Sequence, residues 1–438
     1  MNRRILRLAI PNIISNITIP LLGLASTVIA GSIGSDLAIA GVGLGSMVFS
    51  FIYWNCSFIR MGASGMTAQA LGARNLWECA NILIRSLAIA LAIAVLLLVF
   101  QRPIWRGAQL LLRGDQDTVA MAAEYFFARV WAAPATISHY AIQGWFIGMQ
   151  NSRTPMIISI IINLLAIVFG YVFVFTFGYS APAGIAYGIV VAQYAGLVIS
   201  AALWWKFYRR FVRYVNWREV FRAKALGRFF NVNKDIFIRS FCNTCVYSFF
   251  PFISLQFGAT MVATNTILIH LFTFFSYMLD GFGYAAEALT GRFTGARNFA
   301  ALRESIIKMF WWCGAIAAAF VLVYWLFWPQ IIGLFNPSEG VLAAARQVKG
   351  WIMIVPLVGF APFLMDGIFI GVTKTRILRN SMLVSAAVFF ALYYGLVGSI
   401  GVYALWPAFV AYLVSRGVCQ VAMSNRLEGL IWHKAEAK

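Results

Sequence analysis

Charge is scarce in this chain. Asp, Glu, Lys and Arg make up 11% of its 438 residues, and only 14 are acidic. Soluble domains carry about 25% charged residues, so a water-facing surface of ordinary composition is excluded. Histidine occurs three times and cysteine six. The cysteines are scattered, mostly inside apolar runs. Cys242 and Cys245 form a CxxC without a second pair or a nearby His, which removes a zinc or redox module. HExxH, a Walker A loop and a dinucleotide fingerprint are all missing, which argues against an ATP-driven pump in this chain. No cofactor and no metal are expected.

What fills the chain instead is hydrocarbon. Apolar residues reach 62% and the mean hydropathy is +0.81. A bilayer covers such surface if each ~30 Å crossing is met by about 20 helical residues. Twelve runs qualify, at 10–32, 37–69, 82–104, 119–149, 154–177, 182–206, 231–257, 260–290, 304–334, 342–371, 377–399 and 401–423. They are continuous rather than alternating, which excludes strands. The formal charge of +20 suggests nucleic acid until its placement is considered. Most basic residues flank one set of loops, above all Lys206, Arg209, Arg210, Arg213, Arg218, Arg222, Lys224 and Arg228, while Arg102, Arg106, Arg113, Arg346 and Lys349 mark the other face. The asymmetry sets both termini in the cytoplasm of a multi-pass inner-membrane protein, with lipids and not nucleic acid as the partner of the charge. The first apolar run follows Arg3, Arg4 and Arg7 without a small-residue cleavage site, so no cleaved signal is expected.

The chain repeats itself. TAQALGARN at 67–75 answers TGRFTGARN at 290–298, and GWFIG at 144–148 answers GIFIG at 367–371, both at a spacing of 223 residues. Arg153 and Arg376, Tyr171 and Tyr394, and Gly178 and Gly401 keep that spacing. Such register marks an internal duplication. Six spans per half make the repeat parallel, with the substrate path expected between the copies. The expected architecture is an all-α polytopic membrane protein of twelve transmembrane helices in two pseudo-symmetric six-helix bundles. The N-lobe is residues 1–206, a basic cytoplasmic connector 207–228, and the C-lobe 229–438. The connector is long enough for a surface helix along the membrane. Pro20 is expected to kink the first span, and Pro134 and Pro356 corresponding spans of the two halves.

The run Pro11-Asn12-Ile13-Ile14-Ser15-Asn16, then Pro20-Leu21-Leu22-Gly23, Arg60-Met61-Gly62, Thr67-Ala68-Gln69-Ala70 and Gly72-Ala73 resembles the multidrug and toxic compound extrusion (MATE) family. Asp280-Gly281-Phe282, Glu287-Ala288-Leu289-Thr290-Gly291 and Asp366-Gly367-Ile368-Phe369-Ile370-Gly371 are similar to its DinF-like branch. The likeness spans nearly the whole chain. It implies two six-helix lobes, alternating access, and export of organic compounds driven by entry of H⁺ or Na⁺. One departure matters: relatives commonly carry an Asp in the first span, and the aligned residue here is Ser26. The fifth span keeps Asn163, but Ile167 stands where an Asp often follows.

A charge at mid-membrane costs ~2.5–3.5 kcal/mol on insertion scales, so each needs a partner or a wet cavity. Glu124, Lys234 and Asp235 lie near span ends, where snorkelling accounts for them. Arg129 is deeper, and its sequence neighbour Glu124 is poorly spaced to pair with it. Asp280 and Glu287 are two helical turns apart on one face of the eighth span. Arg60 occupies the second span, the repeat counterpart of the eighth. An ion pair between lobes, Arg60 with Asp280 or Glu287, is therefore expected, with Arg239 as a competing partner. Asp366 aligns with Gln143, one acidic and one neutral version of a single position. Asp280, Glu287 and Asp366 are the expected coupling carboxylates, the ion site having moved to the C-lobe or been lost. Ser26, Gln143, Asn163, Phe274 and Tyr277 are expected to line a cavity for small organic compounds, flat or cationic ones included. His139 and His270, each alone in an apolar span, read as packing residues.

Three other readings compete. Gly62-Ala63-Ser64-Gly65 matches the GxSG of intramembrane serine proteases, with His139 as a conceivable base, but it lies inside the transporter-like stretch. A flippase of lipid-linked sugars and a non-transporting membrane scaffold are the alternatives nearer to the repeat. The expected protein is a monomeric secondary active exporter and not an enzyme.

Overall fold

The computed structural model describes residues 1–33, 35–111, 115–335 and 338–431, so Arg113 and residues 432–438 lie outside it. Sixteen α-helices follow one another, and the described residues contain no strand. The first half holds α1 (Asn2–Gly31), α2 (Asp36–Cys56), α3 (Phe58–Gly72), α4 (Leu76–Val99), α5 (Gln101–Leu111), α6 (Gln116–Arg129), α7 (Ala133–Gly148), α8 (Arg153–Phe175) and α9 (Ala181–Tyr208). After α10 (Trp217–Val220) come α11 (Ala223–Ser254), α12 (Ala259–Gly295), α13 (Phe299–Gly333), α14 (Glu339–Gly371), α15 (Thr375–Ile400) and α16 (Leu405–Ile431). By length and composition, ten described helical stretches can cross a membrane. One of them, Thr375–Ser424, holds two helices joined at Gly401. The segment α6–α7 lies outside those ten, and a count of twelve fits.

The apolar residues of these helices do not all turn inward. Val99, Val168, Val198 and Trp325 are each more than half exposed. That is the surface a helix presents to acyl chains, since its backbone polar groups are satisfied internally.

Two compact units emerge, Ile14–Phe230 and a second made of Asn231–Lys438 with Met1–Ile13. The first thirteen residues of the chain pack with the second unit, where Ala9 and Ile13 lie against Gly281 of α12. Each unit repeats the local structure of the other. Arg74 and Arg297 (φ 57° and 52°), Gln150 and Thr373 (64° and 54°), and Gly178 and Gly401 (70° and 59°) all turn left-handed at the repeat spacing. At the first four, the next amide reaches back over the helix end: Asn75 to Ala70, Asn151 to Phe146, Asn298 to Phe293 and Lys374 to Phe369, at 2.9–3.0 Å. These bonds satisfy last-turn carbonyls. Asn75 and Asn298 then cap α4 and α13 with their side chains.

The repeated glycines bring helices into backbone contact. A Cβ on Gly144 would strike the backbone of Arg60, and one on Gly148 the carbonyl of Ser64 and the side chain of Thr67. At the same spacing, Gly367 meets Gly283, and Gly371 meets Thr290 and the carbonyl of Glu287. The crossings α3–α7 and α12–α14 are thus one construction made twice.

Three expectations are corrected. The connector is not a single surface helix: it forms a 3-10 turn at Arg209–Tyr214 and the four-residue α10. Arg85 of α4 explains the break, because Nε donates to the Val220 carbonyl (2.8 Å) and Nη2 to that of Glu219 (2.9 Å). Its Nη1 pairs with Glu78 at 2.7 Å. The kinks expected at Pro134 and Pro356 are unequal. Val130–Ala132 winds as a 3-10 turn before Pro134, whereas α14 is one helix through Pro356 and Pro362. Finally, α5 is a helix of its own and not the tail of the third span.

Candidate functional site

Within the second unit, four polar side chains from three helices meet at Asp366. Gly367 and Gly371 turn one face of α14 onto α12, and the neighbouring Asp366 is set about 100° around the helix, toward α11 and α16. Arg239 of α11 and Arg416 of α16 both donate through Nη2 to Oδ2 of Asp366. Gln420, one turn beyond Arg416, donates Nε2 to Oδ1 at 2.7 Å. All four are buried, Arg416 completely.

The spacing on each helix builds this. Tyr412, Arg416 and Gln420 recur every four residues on α16, and Asp235, Arg239 and Asn243 do so on α11, so each set forms one stripe. The stripes join above and below the carboxylate. Tyr412 donates its hydroxyl to Asn243 at 2.7 Å, and Asp235 accepts from Arg379 (2.7 Å) and Thr375 (3.1 Å) of α15. Arg416 also lies 5.3 Å from the centre of the Phe363 ring, a cation–π contact. Two guanidinium groups on one carboxylate form a network whose members depend on each other. Arg416 keeps Nε and Nη1 without acceptors among the described residues.

The residues singled out from sequence fall as follows. Asp366 and Arg239 are brought together. Asp280 is half-buried and Glu287 buried on α12. On that helix Phe274 is half exposed and its ring lies 5.8 Å from that of Phe320. In the first unit Arg60 is buried on α3. Asn163 of α8 donates to the Thr18 hydroxyl of α1 at 2.8 Å. Ser26 is buried, and its hydroxyl donates to the Leu22 carbonyl of its own helix at 2.9 Å. Gln143 lies on α7, partly buried. Ser64 and His139 do not meet as a nucleophile and base would: the nitrogen Nδ1 of His139 lies 3.3 Å from Ser200, and the buried Ser64 hydroxyl has no partner among the described residues. His270 is exposed.

Sequence reasoning missed Arg416 and Gln420. An arginine in the middle of the twelfth apolar run was the available signal. The repeat sharpens it: at 223 residues' spacing Arg239, Asp366 and Arg416 correspond to Asn16, Gln143 and Gln193. One lobe has charges where the other has amides.

Comparison with known proteins shows the family. The MatE family model matches residues 11–172 and 236–394. The DNA damage-inducible protein F of Escherichia coli is 33% identical over 426 residues, covering 96% of this chain and 91% of that protein. The probable multidrug resistance protein NorM of Neisseria meningitidis serogroup B is 23% identical, with 96% and 93% covered. Among solved structures, a MATE protein in a bent conformation superposes with a TM-score of 0.88 at 20% identity, covering 100% of this chain and 97% of that one. A MOP superfamily transporter from Pyrococcus furiosus gives 0.86 at 20% identity, with 98% and 96% covered.

Proposed function

Because the chain belongs to the MatE family, a family of membrane transporters, we propose that it exports small organic compounds by alternating access, driven by proton entry. Relatives named as multidrug resistance proteins support the substrate class. The observation that carries the coupling assignment is the placement of carboxylates. Asp366 is buried on two arginines in the C-lobe, whereas the first-span position holds Ser26, its hydroxyl engaged with Leu22.

In this reading Asp280, Glu287 and Asp366 bind the coupling proton, and Asp366 takes it only as its two arginines move off, because paired guanidinium groups hold a carboxylate ionised. Protonation cancels the charge that Arg239 and Arg416 share. Removing one partner from a buried pair costs about 3–5 kcal/mol, which biases a two-state equilibrium by a factor on the order of 10²–10⁴. The lobe then prefers an arrangement in which the arginines find other acceptors. Sodium fits less well, because an ion at Asp366 would share its carboxylate with two guanidinium groups. Phe274, Tyr277, Gln143 and Asn163 contact the substrate, and Arg60 is the charge that changes partner as the carrier cycles. The protein works as a monomer in the inner membrane with both termini cytoplasmic, and without a cofactor.

The test is uptake of a fluorescent organic cation into proteoliposomes under separately imposed pH and Na⁺ gradients. Flux should follow the pH gradient and fall at least tenfold in Asp280→Asn, Glu287→Gln or Asp366→Asn. Undiminished pH-driven flux in all three would remove the carboxylates from coupling, and flux indifferent to both gradients would remove coupling itself.

A further inference from the structure

Arg129 is another charge inside an apolar span, and no carboxylate among the described residues pairs with it. It closes α6, about 20 Å along the helix from Asp115 at a rise of 1.5 Å per residue. Its guanidinium lies 5.0 Å from the ring centre of Phe49, 5.4 Å from Tyr125 and 6.0 Å from Tyr53. Its Nη1 donates to the Tyr125 hydroxyl, which also accepts from Ser46 at 3.0 Å. Among the described residues no acid pairs with it. Glu124, its sequence neighbour, is exposed and accepts from Ser180.

Two buried donors in this aromatic box lack acceptors among the described residues: Nε of Arg129 and the hydroxyl of Tyr53, which has Thr136 beside it. A buried donor left unsatisfied and a charge inside the membrane without a counter-ion both cost free energy. Cation–π attraction offsets part of that cost and not all of it.

The fold does not require the arginine. At the repeat spacing Arg129 and Phe49 correspond to Ile352 and Phe272, which line an apolar hollow with Phe275, Tyr324, Val355 and Pro356. The C-lobe makes the same crossing without a charge. A charge retained in only one copy, with its donors open and its side chain partly accessible, has the properties of a receptor for an anion.

We propose that Arg129, with Tyr53, binds the carboxylate of an aromatic or otherwise apolar organic acid in the N-lobe. A carboxylate brings one negative charge for one cation, and two oxygens that match the guanidinium edge. The rings of Phe49, Tyr53 and Tyr125 suit the apolar body. A phosphate dianion would leave a surplus charge in a site with a single cation. The inference rests on the reading of the chain as a carrier of organic compounds and names a substrate class for it.

Isothermal titration of the full chain in nanodiscs, without any gradient, compares 1-naphthoate with its neutral isostere 1-naphthamide. Wild type should bind the acid at least tenfold more tightly than the amide. Arg129→Gln should erase that preference, Tyr53→Phe should narrow it severalfold, and Arg129→Lys should weaken binding but keep the preference. Should Arg129→Gln not fold, the Lys and Phe variants carry the same comparison. Failure of wild type to bind the acid, equal binding of acid and amide, a preference that survives Arg129→Gln, or displacement by chloride at matching concentration would each overturn the proposal. Flux lost with binding intact would count against coupling alone, whereas binding lost with cation flux intact would count against this site alone.

Discussion

The Asp366 network makes a prediction whose size follows from its geometry. Replacing Asp366 with Leu removes the acceptor of both Arg239 and Arg416 and of Gln420. Arg416 is completely buried and Arg239 nearly so, so neither can reach water without moving a helix. Breaking a buried pair from one side costs about 3–5 kcal/mol, while replacing the whole set with apolar residues of similar volume is often neutral or stabilising. Asp366→Leu should therefore lose about 3–5 kcal/mol of unfolding free energy. The triple variant Arg239→Met, Asp366→Leu, Arg416→Met should recover most of it. Reversible unfolding in mixed micelles, followed by tryptophan fluorescence, reads both. A loss below about 1 kcal/mol in the single variant, or a triple variant no more stable than the single, would refute the view that stranded guanidinium charge is what the carboxylate holds in check.

Other expectations are simpler. Gly144→Val and Gly367→Val should each destabilise by about 1–3 kcal/mol or more, because the added atoms meet backbone that has no rotamer to yield; a thermal melt at wild-type temperature for either would contradict the backbone contact. Arg85→Met should free the connector, so that trypsin cuts within 209–222 markedly faster than in wild type, and unchanged cleavage would mean that the two carbonyl bonds do not hold it. Asp115 caps α6, and the hydroxyl of Thr118, followed by its backbone amide, lowers its carboxyl below the ordinary value of 3.8. A lowered carboxyl contributes stability above its unfolded value and loses it as pH falls through the folded one. Amide exchange at the start of α6 should accordingly quicken only below about pH 4, and Asp115→Ala should abolish that dependence.

Much of the fold is legible in the sequence for local reasons. Hydrocarbon runs of bilayer length specify helices, and a 223-residue echo specifies two copies. The shared GxxxG-like pair of each copy, Gly144 with Gly148 and Gly367 with Gly371, even names the helix faces that touch. Local patterns are less informative at breaks. Pro134 follows a 3-10 turn while Pro356 sits inside an unbroken helix, because neighbouring helices decide whether freed backbone groups find partners. The connector also hid its form, since the side chain that folds it, Arg85, lies on α4, far away along the chain.

Length, composition and repetition by themselves determined that this is a duplicated helical membrane protein resembling one transporter family, because those properties act through backbone and solvent and need no knowledge of neighbours. Which charges meet was decided only by the tertiary structure. The sequence pairs Asp366 with nothing, offers Arg239 to Asp280 or Glu287, and leaves Arg416 and Gln420 unmarked, since residues 50 to 127 positions apart become partners solely where three helices converge. The same holds for Arg129: the sequence shows a cation inside an apolar run, and only the packing of α2 against α6 shows the rings around it and the donors left open.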